Sequence, residues 1–144
     1  MKNNLLLFII VGLAVLSNSC SSDDSGNNQQ NNISMKINGV KKGIPMMFVT
    51  EESGTVSVNV DYISFDYPTE NVKLEMNTTG THLTHMSYDG YLGLGTFESG
   101  SSFISSITTD TSKRTIRGTM SGTLHSSESG QNLSITNGSF FIHY

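Results

Sequence analysis

From Ile33 to the C-terminus, apolar and polar residues alternate in short runs, and each run is cut by a turn signal. Ile33, Met35 and Ile37 alternate with Ser34 and Lys36, and Asn38-Gly39 follows at once. Asn-Gly is a strong hairpin signal because both residues tolerate positive φ. Val56, Val58, Val60 and Tyr62 alternate with Ser57, Asn59 and Asp61, as in a strand with one face buried. Val72, Leu74 and Met76 repeat the pattern after Pro68-Thr69-Glu70, where proline breaks the ladder. Further strands are expected over Ile44–Thr50, Thr81–Tyr88, Ser102–Thr109 and Thr115–Leu124. Glu51–Gly54, Asn77–Gly80, Asp89-Gly90, Glu98–Gly100, Asp110–Lys113 and Ser126–Gly130 read as the turns. Tyr91–Phe97 carries Gly93 and Gly95 on one face, which permits a bulge or close packing. Leu133, Ile135 and Phe140–Tyr144 form the last strand or pair of strands, with Asn137-Gly138 as a bulge or turn between them.

Composition supports the same class. The chain has 14 glycines, abundant Ser, Thr and Asn, and alanine only at Ala14, a mixture hostile to helices. About eight to ten short strands at regular spacing imply an all-β domain, either an antiparallel β-sandwich or an up-and-down β-barrel. Local connections favour antiparallel pairing, since parallel neighbours need crossovers of about a dozen residues. Glycines within strands favour strong curvature.

The first residues read as an address. Lys2 is followed by the apolar run Leu5–Leu16, then Ser17-Asn18-Ser19 and Cys20, the single cysteine. A basic start, an apolar run of roughly 7–15 residues and a small-residue cleavage site define a secretory signal. The run is shorter than the ~20 residues that a membrane-spanning helix needs. Two readings of Cys20 stand. In one, cleavage after Ser19 makes it a lipid-modified N-terminus, and more than one acyl chain gives a stable anchor. In the other, Ser17–Ser19 is an ordinary cleavage site and Cys20 an incidental thiol, although an unpaired thiol on an exported protein risks mispairing. The first reading is the expectation. It divides the chain into a signal peptide over 1–19, an anchored flexible tether over 20–32 and one domain over 33–144. The stretch Ser21–Asn32 has no apolar residue and cannot offset its ordering entropy, hence the tether.

Leu13–Cys20 resembles the lipobox of bacterial lipoproteins, more closely the loose form found in Bacteroidota, with Ser17 where the strict pattern has leucine. Asp23-Asp24 after Cys20-Ser21-Ser22 resembles the signal that sends lipoproteins of that group to the outer face of the outer membrane. The strand segments Ile37-Asn38-Gly39, Ser102–Asp110, Thr115–Leu124 and Ile135–Phe140 resemble small Bacteroidota lipoproteins of an uncharacterised all-β family. The resemblance implies an all-β domain and a palmitate-bearing lipoprotein held at the cell surface, with the periplasmic face or secretion as alternatives.

Chemistry is sparse. The net charge is -4, with no basic patch, which repels phosphate backbones and argues against nucleic acid as a partner. No nucleophile elbow, phosphate loop or nucleotide fingerprint is present, so no catalytic residue and no cofactor are implied. His82-x-x-His85 suggests a metal, but on a strand that spacing puts the two rings on opposite faces, and solvated or hydrogen-bonded histidines are expected. Asp61, Asp66, Asp89, Glu70, Glu75 and Glu98 are scattered, whereas a glycosidase needs two carboxylates about 5–10 Å apart. Tyr62, Tyr67, Tyr88 and Tyr91, with Phe65, are candidates for an aromatic platform for a sugar or peptide, with core packing or cross-strand pairs as the alternative. The function expected is a non-enzymatic binding or adhesion module. The alternatives are an accessory subunit of an envelope complex, with an envelope-protein partner, and, further off, a hydrolase. Replacing Cys20 by Ser is expected to release the protein from the membrane fraction and to abolish incorporation of labelled palmitate; retention of the variant on membranes would contradict the anchor.

Overall fold

A computed structural model describes residues 30–42, 46–62, 70–90 and 93–144. The signal, Cys20, most of the tether, Phe65, Tyr67 and Tyr91 lie outside the described residues. Ten strands follow one another: β1 (Asn32–Ile37), β2 (Val40–Lys42), β3 (Met46–Glu52), β4 (Thr55–Tyr62), β5 (Glu70–Asn77), β6 (Leu83–Asp89), β7 (Phe97–Ser99), β8 (Ile104–Asp110), β9 (Thr115–His125) and β10 (Asn132–His143). All pair antiparallel in a single curled sheet of order β2-β1-β10-β9-β7-β6-β5-β4-β3, with β8 also on β9. Nearly every neighbour in space is a neighbour in sequence. The long-range step is β10 on β1, which brings the last strand against the first. β7 and β9 are also neighbours, skipping β8, and among the described residues the curled sheet ends at β2 and β3.

Turn chemistry sets the first hairpins. Asn38 and Gly39 have φ of 49° and 81°, and Ser53 and Gly54 have 51° and 79°. Ile37 pairs with Val40 and Glu52 with Thr55, so both loops contain two residues. Positive φ at both positions matches the twist of the flanking strands. Alternation then buries Ile33, Met35 and Ile37 from β1, Val56, Val58 and Val60 from β4, and Val72, Leu74 and Met76 from β5 in one core.

Two strands change parity and still keep their apolar residues inside. In β10, Ile135 faces Gly122 and Gly138 faces Met120, so three steps on one strand oppose two on the other. The same extra residue appears against β1, where Ser34 pairs with Ser139 and Lys36 with Thr136. Asn137 takes a φ of 53° at this bulge. As a result Leu133 and Ile135 before it, and Phe140 and Ile142 after it, are all buried. In β6, Glu75 pairs with His85 and Met76 with Leu83, which lets Leu83, Met86 and Tyr88 all reach the core.

The long strand β9 has one edge covered wholly by β10 and the other shared. β8 pairs with Thr115–Ser121 and β7 with Leu124 and His125. Gly122 lies at the changeover with a φ of 140°, and an added Cβ would sit 2.7 Å from Phe103 Cα. Only glycine combines that backbone with that approach. One side chain and one backbone bond tie β8 to the start of β6: Leu83 N–H donates to Ser105 Oγ at 2.8 Å, and Ile107 N–H donates to Thr81 O, just before β6, at 2.8 Å. Glu98 and Ser99, expected in a turn, belong to β7, and the turn follows, where Phe103 N–H donates to Gly100 O at 3.0 Å. Before β7, Gly93 and Gly95 have φ of 67° and 79°, incompatible with extended strand, so Leu94–Thr96 are irregular. The final segment is one bulged strand rather than two. No helix among the described residues is long and apolar enough to cross a membrane.

Gly118 marks a close approach of β8 and β10 to β9. A Cβ there would lie 2.5 Å from Ser106 O, 2.7 Å from Phe140 Cζ and 2.9 Å from Ile107 Cγ2. Backbone, not only a flexible side chain, blocks it. Overpacking of this kind costs about 1–3 kcal/mol. Gly118→Ala is therefore expected to lower unfolding stability by about 2 kcal/mol, read as a shifted urea midpoint at unchanged slope; a neutral effect would show that β8 and Phe140 can move away.

Candidate functional site

The outward positions of β8, β9, β10 and β1 form one polar face. Register aligns Thr108, Arg117, Phe141 and Asn32 in one row across the four strands. Ser106, Thr119, Ser139 and Ser34 form the next row. At the other side, Asp110, Thr115 and His143 align. Three shallow depressions lie on this face. One, of about 310 Å³, is lined by Thr108, Asp110, Lys113, Thr115, Arg117, Phe141 and His143. A second, of about 280 Å³, shares Arg117 and Phe141 with it. The third, of about 300 Å³, lies over Ser106, Thr119, Ser121 and Asn137.

Local structure fixes the parts of the first depression. Asp110 ends β8 and organises the turn into β9. Its Oδ1 accepts from Ser112 Oγ at 2.6 Å and from the N–H groups of Ser112 and Lys113, each at 3.1 Å. Lys113 Nζ stands 3.9 Å from its other oxygen. The Ser112 hydroxyl, then the Lys113 N–H, hold the Asp110 carboxyl below its ordinary pKa, because these bonds favour the ionised form. Phe141 and His143 meet edge to face at 5.1 Å between centroids. Arg114 is engaged elsewhere: Nε donates to Tyr144 O at 2.6 Å and Nη2 lies 3.4 Å from Glu51. The Arg117 side chain has neither a hydrogen bond nor an ion pair among the described residues and is exposed.

A fourth depression, of about 430 Å³, opens at the far end of β9 and gathers Glu98, His125 and Glu128. His125 Nδ1 lies 2.9 Å from Asn132 Oδ1. All three side chains are exposed.

The residues singled out from the sequence separate in space. Tyr88 is fully buried, so its ring is a packing element of the core and offers no surface to a ligand. Tyr62 belongs to β4 by its backbone, and its side chain, like Tyr67 and Tyr91, lies outside the described residues. His82 precedes β6 and its Nδ1 contacts Ser105 O, while His85 pairs across from Glu75. Among the described residues no group of three or more His, Cys, Asp or Glu is placed to hold a metal ion. Of the carboxylates, Glu70 pairs with Lys42 at 2.6 Å, Asp61 accepts from Asn71 at 2.7 Å, and Glu75 lies 2.6 Å from Lys73. The Lys73 hydrogen bond pulls the Glu75 pKa down. Asp66 is outside the described residues.

The sequence marks Thr115–Leu124 as a strand and does not single out Arg117 or Phe141. The alternation was visible; the register that sets Arg117 beside Phe141 depends on the Asn137 bulge. Comparison with family models, with curated proteins and with solved structures gives no match. The class is therefore defined by fold and surface: an antiparallel all-β domain whose polar sheet face carries an exposed guanidinium, without a partner among the described residues, beside an aromatic ring.

Since the Ser112 hydroxyl is the first cause of the lowered Asp110 pKa, Ser112→Ala is expected to raise that pKa toward its ordinary value. A folded pKa below the unfolded one stabilises above the unfolded pKa, and the gain is lost as pH falls through the folded value. The variant should lose that gain at a higher pH than the wild type. Carboxyl-carbon NMR titration of Asp110 reads the shift, and an unchanged midpoint would refute it.

Proposed function

We propose that the chain is an outer-membrane lipoprotein anchored through Cys20, with its all-β domain serving as a non-enzymatic binding or adhesion module at the cell surface. The anchor rests on the leader and its single cysteine. The binding role rests on one observation: adjoining depressions on the β8–β9–β10 face, with Arg117 and Phe141 lining two of them. A charged side chain such as Arg117, which has no partner among the described residues, suits recognition better than stability. A partner is a glycan, a peptide or an envelope protein, and the acidic balance of the chain disfavours nucleic acid.

The Glu98–His125–Glu128 depression is the one feature that favours a hydrolase. Glu98, His125 and Glu128 are all exposed to water, and nothing in the depression encloses a reacting group, so binding is preferred.

Screening the full chain against glycan and peptide arrays tests the reading. The wild type is expected to retain a ligand that the Arg117→Ala/Phe141→Ala double variant loses, with the melting temperature held within a few degrees. A screen without ligands, or a ligand bound equally by the variant, would overturn it.

A further inference from the structure

Resting on that reading, we infer that the β8–β9–β10 face binds an acidic glycan, a chain of sugars carrying carboxylates, with Arg117 as the carboxylate receptor and Phe141 as the plate under a sugar ring.

Charge carries the first step. The whole chain has a net charge of -4, yet the depression around Arg117 sets Arg117 and Lys113 against Asp110 alone. Asp110 is already engaged by the Ser112 hydroxyl, two backbone N–H groups and Lys113, so it does not serve Arg117. Of the two arginines, Arg114 is held by Glu51 and by the Tyr144 carbonyl, with its guanidinium 5.0 Å from the Tyr144 ring centroid. Arg117 has no such partner among the described residues, and its planar fork presents five donors that fit a carboxylate in two parallel bonds. Its solvated guanidinium is therefore available to an anion that a ligand brings.

The surroundings choose among anions. Phe141 neighbours Arg117 in register, and His143 meets it edge to face, which fixes an apolar plate beside the cation. Ring faces of sugars are apolar, and their rims carry hydroxyls. Thr108 in the same row, and Thr115, Thr119 and Ser139 in the flanking rows, offer hydroxyls that both donate and accept. The rows with Arg117, Thr119 and Ser121 are two residues apart, about 7 Å each along the strand, so the adjoining depressions suit an extended chain. A protein partner would need a desolvated aromatic or arginine cluster at its centre. Here one half-buried ring lies in a field of hydroxyls, which matches a carbohydrate.

The test uses the full chain in detergent, titrated with polygalacturonate, with the same polymer after reduction of its carboxyls to alcohols, and with polyphosphate at equal ionic strength. Polygalacturonate is expected to bind, with the reduced polymer at least about tenfold weaker, as the loss of a charge-assisted bidentate pair implies. Arg117→Lys should weaken binding about tenfold, since ammonium cannot form the fork. Phe141→Ala should abolish it with an unchanged circular dichroism spectrum. Equal binding of the reduced polymer would overturn the carboxylate assignment and leave a neutral-glycan module standing. Equal binding of polyphosphate would reduce the site to bare charge and overturn the glycan. If no polymer binds, the inference fails, while the array screen decides the broader binding role on its own.

Discussion

The pairing of β10 with β1 on one side and β9 on the other, through a single bulge at Asn137, carries the rest of this structure. Strands have a period of two, so a strand that changes apolar parity in mid-course would turn half its side chains to water. Leu133 and Ile135 are odd-numbered, and Phe140 and Ile142 are even-numbered. The extra residue at the bulge restores one inward face for all four. Because β10 sits between two partners, both must absorb the same irregularity, and both registers show it. The same pairing ties the first strand to the last and closes the curl.

The second constraint is space at the inner surface of β9. Gly118 lets Phe140 and the β8 backbone approach, and Gly122 lets β9 pass from β8 to β7 as partner. A sheet that curls this tightly needs positions without a Cβ on its inner face. The outer face is freed from packing duty by the same geometry. It holds Thr, Ser and Asn, with Arg117 and Phe141 among them, and those residues are available for recognition because the core makes no use of them.

The local features of the fold were legible. Asn38-Gly39 and Ser53-Gly54 form the hairpins that their chemistry requires, and the alternation of β1, β4, β5 and β9 identifies their buried faces. Positions 98 and 99 were misread as a turn because Glu-Ser-Gly is turn chemistry. Their inclusion in β7 comes from pairing with Ser87 and His125 from distant strands. Tyr88 is a candidate aromatic plate in the sequence, with core packing or a cross-strand pair as the favoured alternative. Its position opposite buried Val72 and Phe97 sets it inside.

The sequence by itself determined the class: short alternating segments, hairpin turns and a composition hostile to helices permit only an antiparallel β domain, because these signals act over a few residues. It also supplies the motive for export and anchoring in Cys20 and its leader. The tertiary structure decided which residues meet. Arg117 and Phe141 are 24 positions apart and become neighbours only through the β9–β10 register. That register is set by cross-strand packing and by one bulge, and no local rule fixes either, since a shift of a single residue would exchange the inner and outer faces.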